Sequence, residues 1–204
     1  MILQNKLGIK SEIELAKEEE RISKLKAKKL FESGFLDTLE AGSFESLRAI
    51  HQELFGDIYE FAGKMRDVNI SKGSFRFAPI TYLSDAIKKI EAMPQASFDE
   101  IVEKYVEMNV AHPFREGNGR SMRIWLDVML KRELKKVVDW NIIERDDYMM
   151  AMERSPVKDT EIKILLKNAL TDEINNADVF MKGIDASYYY EGYILYKTKE
   201  LGEI

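Results

Sequence analysis

Apolar positions recur every three to four residues over most of the chain, and the elements this spacing predicts are helices. Helices are expected near Ser43–Phe61, Tyr82–Ala92, Asp146–Glu153 and Asp159–Leu170, with Pro156 breaking the chain between the last two. Ser97-Phe98-Asp99-Glu100 reads as a capping box, and the helix it starts sets Ile101, Tyr105, Met108 and, one turn on, His112 along one side. Further on, Ile124, Leu126, Val128, Met129 and Leu130 make a helix apolar over much of its circumference, as a central, buried helix would be. Near the start, an acidic stretch from Glu12 to Glu20 runs on into a basic one from Lys24 to Lys29, which predicts a solvated helix face. One segment departs from the helical period. Val68 to Phe77 alternates apolar and polar residues around Lys72-Gly73, the pattern of a small hairpin. The expected fold class is all-α, a helical bundle around a central helix pair with one β-hairpin.

Composition narrows the chemistry more than the fold. A chain of 204 residues suits a single compact unit over 1–204, and no Gly, Ser or Pro tract marks a linker. With no cysteine, disulfides, thiolate metal sites and thiol nucleophiles are excluded. The net charge of −5, with both signs interspersed, argues for a soluble protein and against a general electrostatic grip on nucleic acid. The sequence lacks a long apolar span or a signal-peptide core, so the expected setting is cytoplasmic with no membrane contact, and export without a cleaved leader stays open. Of the two histidines, His51 falls within a helical stretch and is expected to be structural, satisfied by hydrogen bonds.

The other histidine opens the most informative segment, His112-Pro113-Phe114-Arg115-Glu116-Gly117-Asn118-Gly119-Arg120, followed by Arg123. A glycine-rich turn between two helical stretches should start a helix at about Gly119 or Arg120. The free N–H groups of a helix start form a cradle for phosphate oxygens, and glycine allows close approach. Asn118 adds a side-chain donor there. Glu116 is a hard oxygen ligand, enough to hold Mg2+ jointly with substrate phosphates. Arg120 and Arg123 share a helical face and can grip the outer phosphates. His112 is left for proton transfer from an attacking hydroxyl.

These residues fill every specified position of H-P-F-x-[D/E]-G-N-G-R-x-x-R, and the chain thereby resembles the Fic-domain family. Tyr59 to Arg66 and Ser71-Lys72-Gly73 also resemble it, so the likeness spans roughly Leu30 to the C-terminus. The resemblance implies a Fic fold and transfer of AMP from ATP to a hydroxyl of a target protein, with release of pyrophosphate. It makes His112 the base, Phe114 the apolar anchor of the loop, and Glu116 the Mg2+ ligand. Gly117, Asn118 and Gly119 become the anion cradle, with Asn118 toward the α-phosphate, Arg120 at the β-phosphate and Arg123 at the γ-phosphate. Relatives that transfer a phosphoryl group carry lysine at the position of Gly119, so glycine favours AMP transfer. The hairpin becomes a flap, with Ser71, Lys72 and Gly73 docking an extended segment of the target. Lys72 and Arg76 are plausible contacts.

Near the end, Ser187-Tyr188-Tyr189-Tyr190-Glu191-Gly192 resembles the family's inhibitory pattern, [S/T]-x-x-x-E-[G/N], in the class III position, C-terminal to the catalytic motif. An inhibitory helix is expected over approximately 183–196, with Ser187 and Glu191 on one face and Glu191 paired to Arg123. Tyrosines crowd this segment; once the helix is displaced, Tyr188 or Tyr193 could offer its hydroxyl for self-modification. Two other readings stay open: removal of AMP from a modified protein, and a nucleotide-binding regulatory module with negligible turnover. By family analogy the target is a type II topoisomerase ATPase subunit, and the chain forms homo-oligomers.

Overall fold

The computed structural model describes residues 2–73 and 75–202. The outermost ends of the 1–204 unit and Ser74 of the expected hairpin lie outside them. The chain runs α1 (Glu12–Glu32), a 3-10 turn at Phe35–Thr38, α2 (Phe44–Phe55), the hairpin strands β1 (Ser71–Lys72) and β2 (Phe75–Arg76), α3 (Ile80–Glu91), α4 (Phe98–Ala111) and α5 (Asn118–Leu134). It continues with β3 (Val137–Val138), a 3-10 turn at Trp140–Ile142, α6 (Arg145–Arg154), α7 (Thr160–Asn168), β4 (Leu170–Thr171) and α8 (Ala177–Tyr190). The fold is all-α, as expected, with two short antiparallel pairings, β1 with β2 and β3 with β4.

Caps punctuate the helices where the sequence places them. Ser97 accepts from the Glu100 N–H while the Glu100 carboxylate accepts from the Ser97 N–H, a complete capping box at the start of α4. Ser11, Ser43 and Asn176 cap α1, α2 and α8 through their side-chain oxygens. The helix expected over Ser43–Phe61 stops at Phe55, because Gly56 weakens the helix and the chain then turns to bury Ile58, Tyr59 and Ala62. The β3–β4 pairing was not anticipated, since two-residue strands are too short to show an alternating pattern.

Helix α5 is central: it packs against α4, α2 and α8, and Met122, Trp125, Leu126, Met129 and Leu130 are fully buried on it. Trp125 is anchored by a hydrogen bond from its indole N–H to Ser43 O at 3.0 Å. Two guanidiniums, those of Arg120 and Arg123, are buried on the same helix.

The solvated face expected for α1 is a correction. Glu19, Glu20 and Lys24 are all buried, Lys24 at 1% exposure. Lys24 Nζ pairs with Glu20 at 2.9 Å and with Asp185 of α8 at 3.1 Å, and donates to Tyr196 O at 2.6 Å. The Glu20 carboxylate accepts in turn from the backbone N–H groups of Leu195 and Tyr196. The charges of α1 therefore hold the C-terminal segment, and their partners lie too far along the chain for a local reading of the helix face to find. Breaking a buried ion pair by deleting one partner costs about 3 kcal/mol or more. Lys24→Ala should accordingly lower the thermal midpoint by roughly 6–12 °C. Thermal unfolding followed by circular dichroism checks this, and an unchanged midpoint contradicts it.

Candidate active site

The site is built on the loop between α4 and α5. Helix α4 ends at Ala111 and is capped by His112, whose N–H still reaches Met108 O at 2.9 Å but whose backbone turns left-handed, φ 48°, ahead of Pro113. Such a conformation in a non-glycine residue has to be held in place. Arg66 holds it. Its guanidinium is buried and donates to His112 O at 2.8 Å, Ala111 O at 3.2 Å, Val68 O at 2.8 Å and Ala78 O, while its own N–H donates to Pro113 O at 2.8 Å. The sequence included Arg66 only as the last residue of a family-like segment, and its clamp joins the catalytic loop to the base of the hairpin.

The His112 imidazole stacks on Phe77 with ring centroids 3.7 Å apart. Its Nδ1–H donates to Asn109 O at 3.3 Å, which leaves the Nε2 lone pair to accept a proton. Burial pushes its pKa down to about 4, against the opposing influence of the Asn109 carbonyl and of Glu191. The ring is therefore neutral at physiological pH.

Gly117 has φ 76°, and a Cβ there would meet the Phe55 ring at 2.4 Å, so the turn demands glycine. Helix α5 begins directly after it, at Asn118, slightly before the expected Gly119 or Arg120. The N–H groups of its first turn are where the expected anion cradle falls. The Asn118 side chain does not join it in this conformation: Nδ2 donates to Phe114 O and Oδ1 accepts from Phe114 N, both at 2.8 Å, which closes the loop instead. Phe114 is fully buried and stacks on His51 at 3.9 Å, the anchor the family likeness implied. His51 is structural, as expected. It donates through Nε2 to Glu116 O at 2.8 Å and accepts the Gly63 N–H at Nδ1 at 2.9 Å, and burial lowers its pKa to about 4.

Charged groups surround this turn. The half-exposed Glu116 carboxylate accepts at Oε1 from the Gly117 N–H at 2.9 Å and from Arg120 Nη2 at 3.1 Å, and Oε2 takes no hydrogen bond from the described residues. One open carboxylate oxygen beside a phosphate cradle fits Mg2+ shared with substrate phosphates. A cage made by protein alone does not fit, because no cluster of three acidic or histidine ligands occurs among the described residues.

Arg120 also pairs with Glu19 of α1 at 2.6 Å. Arg123 is engaged mainly by the C-terminal segment. Nε donates to Ser187 Oγ at 2.7 Å, Nη2 donates to Ser187 O at 2.9 Å and to Glu191 Oε1 at 3.0 Å, and Nη1 donates to the hydroxyl of Tyr148 in α6 at 3.4 Å. Burial alone would raise the Glu191 carboxyl, yet the charges of Arg123 and Arg120 hold it below its ordinary value. Glu191 thus meets the partner expected of it, and Ser187, expected only on the same face, meets Arg123 as well. Glu191 caps α8, which starts at Ala177 and ends at Tyr190, so the helix lies earlier than the expected 183–196. Glu191 Oε1 would be 2.5 Å from a Cβ at Gly119, directly over the cradle. A cavity of about 420 Å3 lies elsewhere, around Phe31, Val128 and Phe180.

The hairpin forms with Ser71 opposite Arg76 and Lys72 opposite Phe75, and Ser71, Lys72 and Gly73 are exposed. The Lys72 charge bears on both His112 and Glu191, so the hairpin stands beside the site. Tyr188 is buried, its hydroxyl pKa pushed up to about 12 by that burial, and the Tyr193 hydroxyl donates to Glu19 Oε1 at 2.6 Å. While α8 is docked Tyr188 is enclosed, its hydroxyl without a hydrogen-bond partner among the described residues, and Tyr193 is engaged; Tyr189 is the exposed member of the run. Sequence reasoning missed Glu19, Arg66, Phe77 and Tyr148, which reach the site from outside the motif.

Residues 42–130 match the model of the Fic/DOC family. The chain is 31% identical over 185 residues to the protein adenylyltransferase VbhT of Bartonella schoenbuchensis, covering 84% of this chain and 37% of that longer protein. It is 30% identical over 166 residues to the probable protein adenylyltransferase y4lH of Sinorhizobium fredii, covering 76% of this chain and 83% of that one. The crystal structure of BepC from Bartonella tribocorum with bound AMPPNP shares the fold, with a TM-score of 0.67 at 20% identity, covering 84% of this chain and 93% of that one. With a complete motif, the fold that presents it and relatives that span most of its length, the chain belongs to the Fic/DOC family, alongside proteins named as adenylyltransferases.

Proposed function

We propose that this protein is a self-inhibited, Mg2+-dependent transferase that moves AMP from ATP to a hydroxyl of a target protein. The observation that carries this reading is the shared use of Arg123: the guanidinium suited to a γ-phosphate is occupied by Ser187 and Glu191 beside an otherwise assembled site. His112 accepts the proton of the target hydroxyl at Nε2 while that oxygen attacks the α-phosphorus. The bond from the α-phosphorus to the bridging oxygen breaks, and pyrophosphate leaves with the electron pair. The first-turn N–H groups of α5 hold phosphate oxygens, and Arg120 draws charge toward the departing group. Mg2+, held at Glu116 jointly with the phosphates, would neutralise phosphate charge. The exposed β1 edge offers backbone groups on which an extended target segment can pair, bringing its hydroxyl toward His112.

The family likeness is the ground for a homo-oligomer and for a topoisomerase ATPase subunit as the first target to try, while the cytoplasmic setting rests on the sequence reading alone. Displacement of α8 would expose Tyr188 and Tyr193 as self-modification sites. Since Glu191 lies over the cradle, removal of AMP is retained as a second reading, in which this carboxylate positions water.

Incubated with Mg2+ and labelled ATP in a bacterial lysate, Glu191→Gly should incorporate label at least about tenfold faster than the wild type, because it frees Arg123. Adding His112→Ala should abolish this incorporation, and equal labelling by all three proteins contradicts the reading. If none labels, AMP removal from a pre-modified target is the activity to assay.

The His112 environment sets the acid limb of the rate. A base whose pKa is depressed to about 4 is deprotonated at every pH well above that value, and Glu191→Gly deletes an influence that raises it. The Glu191→Gly rate should stay level from neutral pH down to about 5 and fall only as the pH approaches 4. A decline that begins near 6.5, the ordinary histidine value, contradicts the partly buried, neutral ring.

A further inference from the structure

Arg120 and Arg123 are each paired with a carboxylate from a terminal helix, but the two pairs are built differently. Glu191 stands at the end of α8 with a side chain 27% exposed. Glu19 lies within α1, and its side chain is 3% exposed against 1% for Arg120. Its Oε2 accepts the hydroxyl of Tyr59, a buried residue of the segment after α2, so the carboxylate is fixed by the body of the protein. Oε1 takes Arg120 Nη1 at 2.6 Å and the Tyr193 hydroxyl at 2.6 Å. Burial would raise the Glu19 carboxyl, and the Arg120 charge with the Tyr193 and Tyr59 hydroxyls holds it below its ordinary value, so it is ionised.

We propose that Glu19, outside the stretch that matches the family model, is a positioning residue that aims Arg120 at the β-phosphate of the bound nucleotide. The inference rests on the reading of ATP as substrate. Among the described residues Arg120 Nε has no acceptor, so its two Nη groups alone orient the guanidinium, one on Glu19 and the other on Glu116. The rings of Phe55, Tyr193 and Tyr188 surround it, with centroids 4.8, 4.7 and 5.3 Å from Cζ. Tyr188 and Tyr193 leave with the inhibitory segment, and Glu116 turns to phosphates and Mg2+ when nucleotide enters. Glu19 and Phe55 are then what still holds the side chain. A guanidinium anchored at Nη1 presents Nη2 toward the turn; without the anchor it has several rotamers to choose from, and the ordering cost falls on nucleotide binding. Glu19 thus acts in the opposite sense to Glu191, and its loss weakens the grip on nucleotide.

The test is isothermal titration of ATP, ADP and AMP, with Mg2+, into Glu191→Gly and into Glu191→Gly with Glu19→Gln. Loss of one charge-assisted contact should weaken ATP and ADP by about tenfold. AMP has no β-phosphate, so its affinity should not move. Glu19→Asp keeps the buried charge while withdrawing it by one methylene, and should weaken ATP and ADP by about threefold with AMP again unmoved. It carries the test alone if the glutamine variant does not fold. Unchanged ATP affinity in these variants, or an equal loss for all three nucleotides, overturns the inference. If Glu191→Gly itself binds no ATP, the functional reading fails first and takes the inference with it.

Discussion

Two guanidiniums one turn apart on a buried helix need partners, and this need organises both ends of the chain. A charge taken out of water is tolerated only when it is paired and hydrogen-bonded. Neither Arg120 nor Arg123 finds enough of this within the central bundle. Arg120 takes Glu19 from α1, and Arg123 takes Ser187 and Glu191 from the end of α8. The two terminal helices close over α5 and also hold each other through the buried set Glu20, Lys24 and Asp185. Phosphates would supply the same compensation as the carboxylates. The affinity of the site for nucleotide and the docking of the terminal segments therefore draw on the same positive charges.

Backbone geometry decides which of these contacts can be exchanged. Gly117 admits the Phe55 ring beneath the turn, and Gly119 leaves room above it for the Glu191 carboxylate. The open space at the start of α5, where the proposed function places phosphate, is thus the space that the Glu191 carboxylate approaches. A lysine at position 119, as in the phosphoryl-transferring relatives, would occupy that space. The C-terminal segment is also connected to α1, because Tyr193 donates to the carboxylate that holds Arg120, and Lys24 and Glu20 bind the backbone that follows. Movement of the C-terminal segment consequently alters the surroundings of both arginines.

Much of this was legible in the sequence because it is local. The capping box before α4, the apolar circumference of α5, the hairpin alternation and the motif loop are patterns within a dozen residues. The Glu191 contact with Arg123 could be named because a family pattern carries it, and the Ser187 contact could not. Contacts between distant stretches were not legible. The α1 charges read as solvated because Glu20 and Lys24 resemble any surface pair four residues apart, whereas Asp185 and Tyr196 lie 161 and 172 positions from Lys24. Among the described residues Arg66 has only backbone carbonyls as side-chain partners, which leave no signature in side-chain sequence. Asn118 was expected to point toward phosphate, and its amide is used in closing the loop on Phe114, a choice between two hydrogen-bonding fates that residue type does not reveal.

The central claim is that Arg123 is contested between Glu191 and the γ-phosphate. The most direct measurement is a crystal structure of Glu191→Gly with Mg2+ and a non-hydrolysable ATP analogue. The account predicts the Arg123 guanidinium within hydrogen-bonding distance of γ-phosphate oxygens, the α-phosphate at the first turn of α5, and His112 Nε2 open toward the α-phosphorus. A γ-phosphate bound away from Arg123, with the guanidinium still held by Ser187, would contradict it.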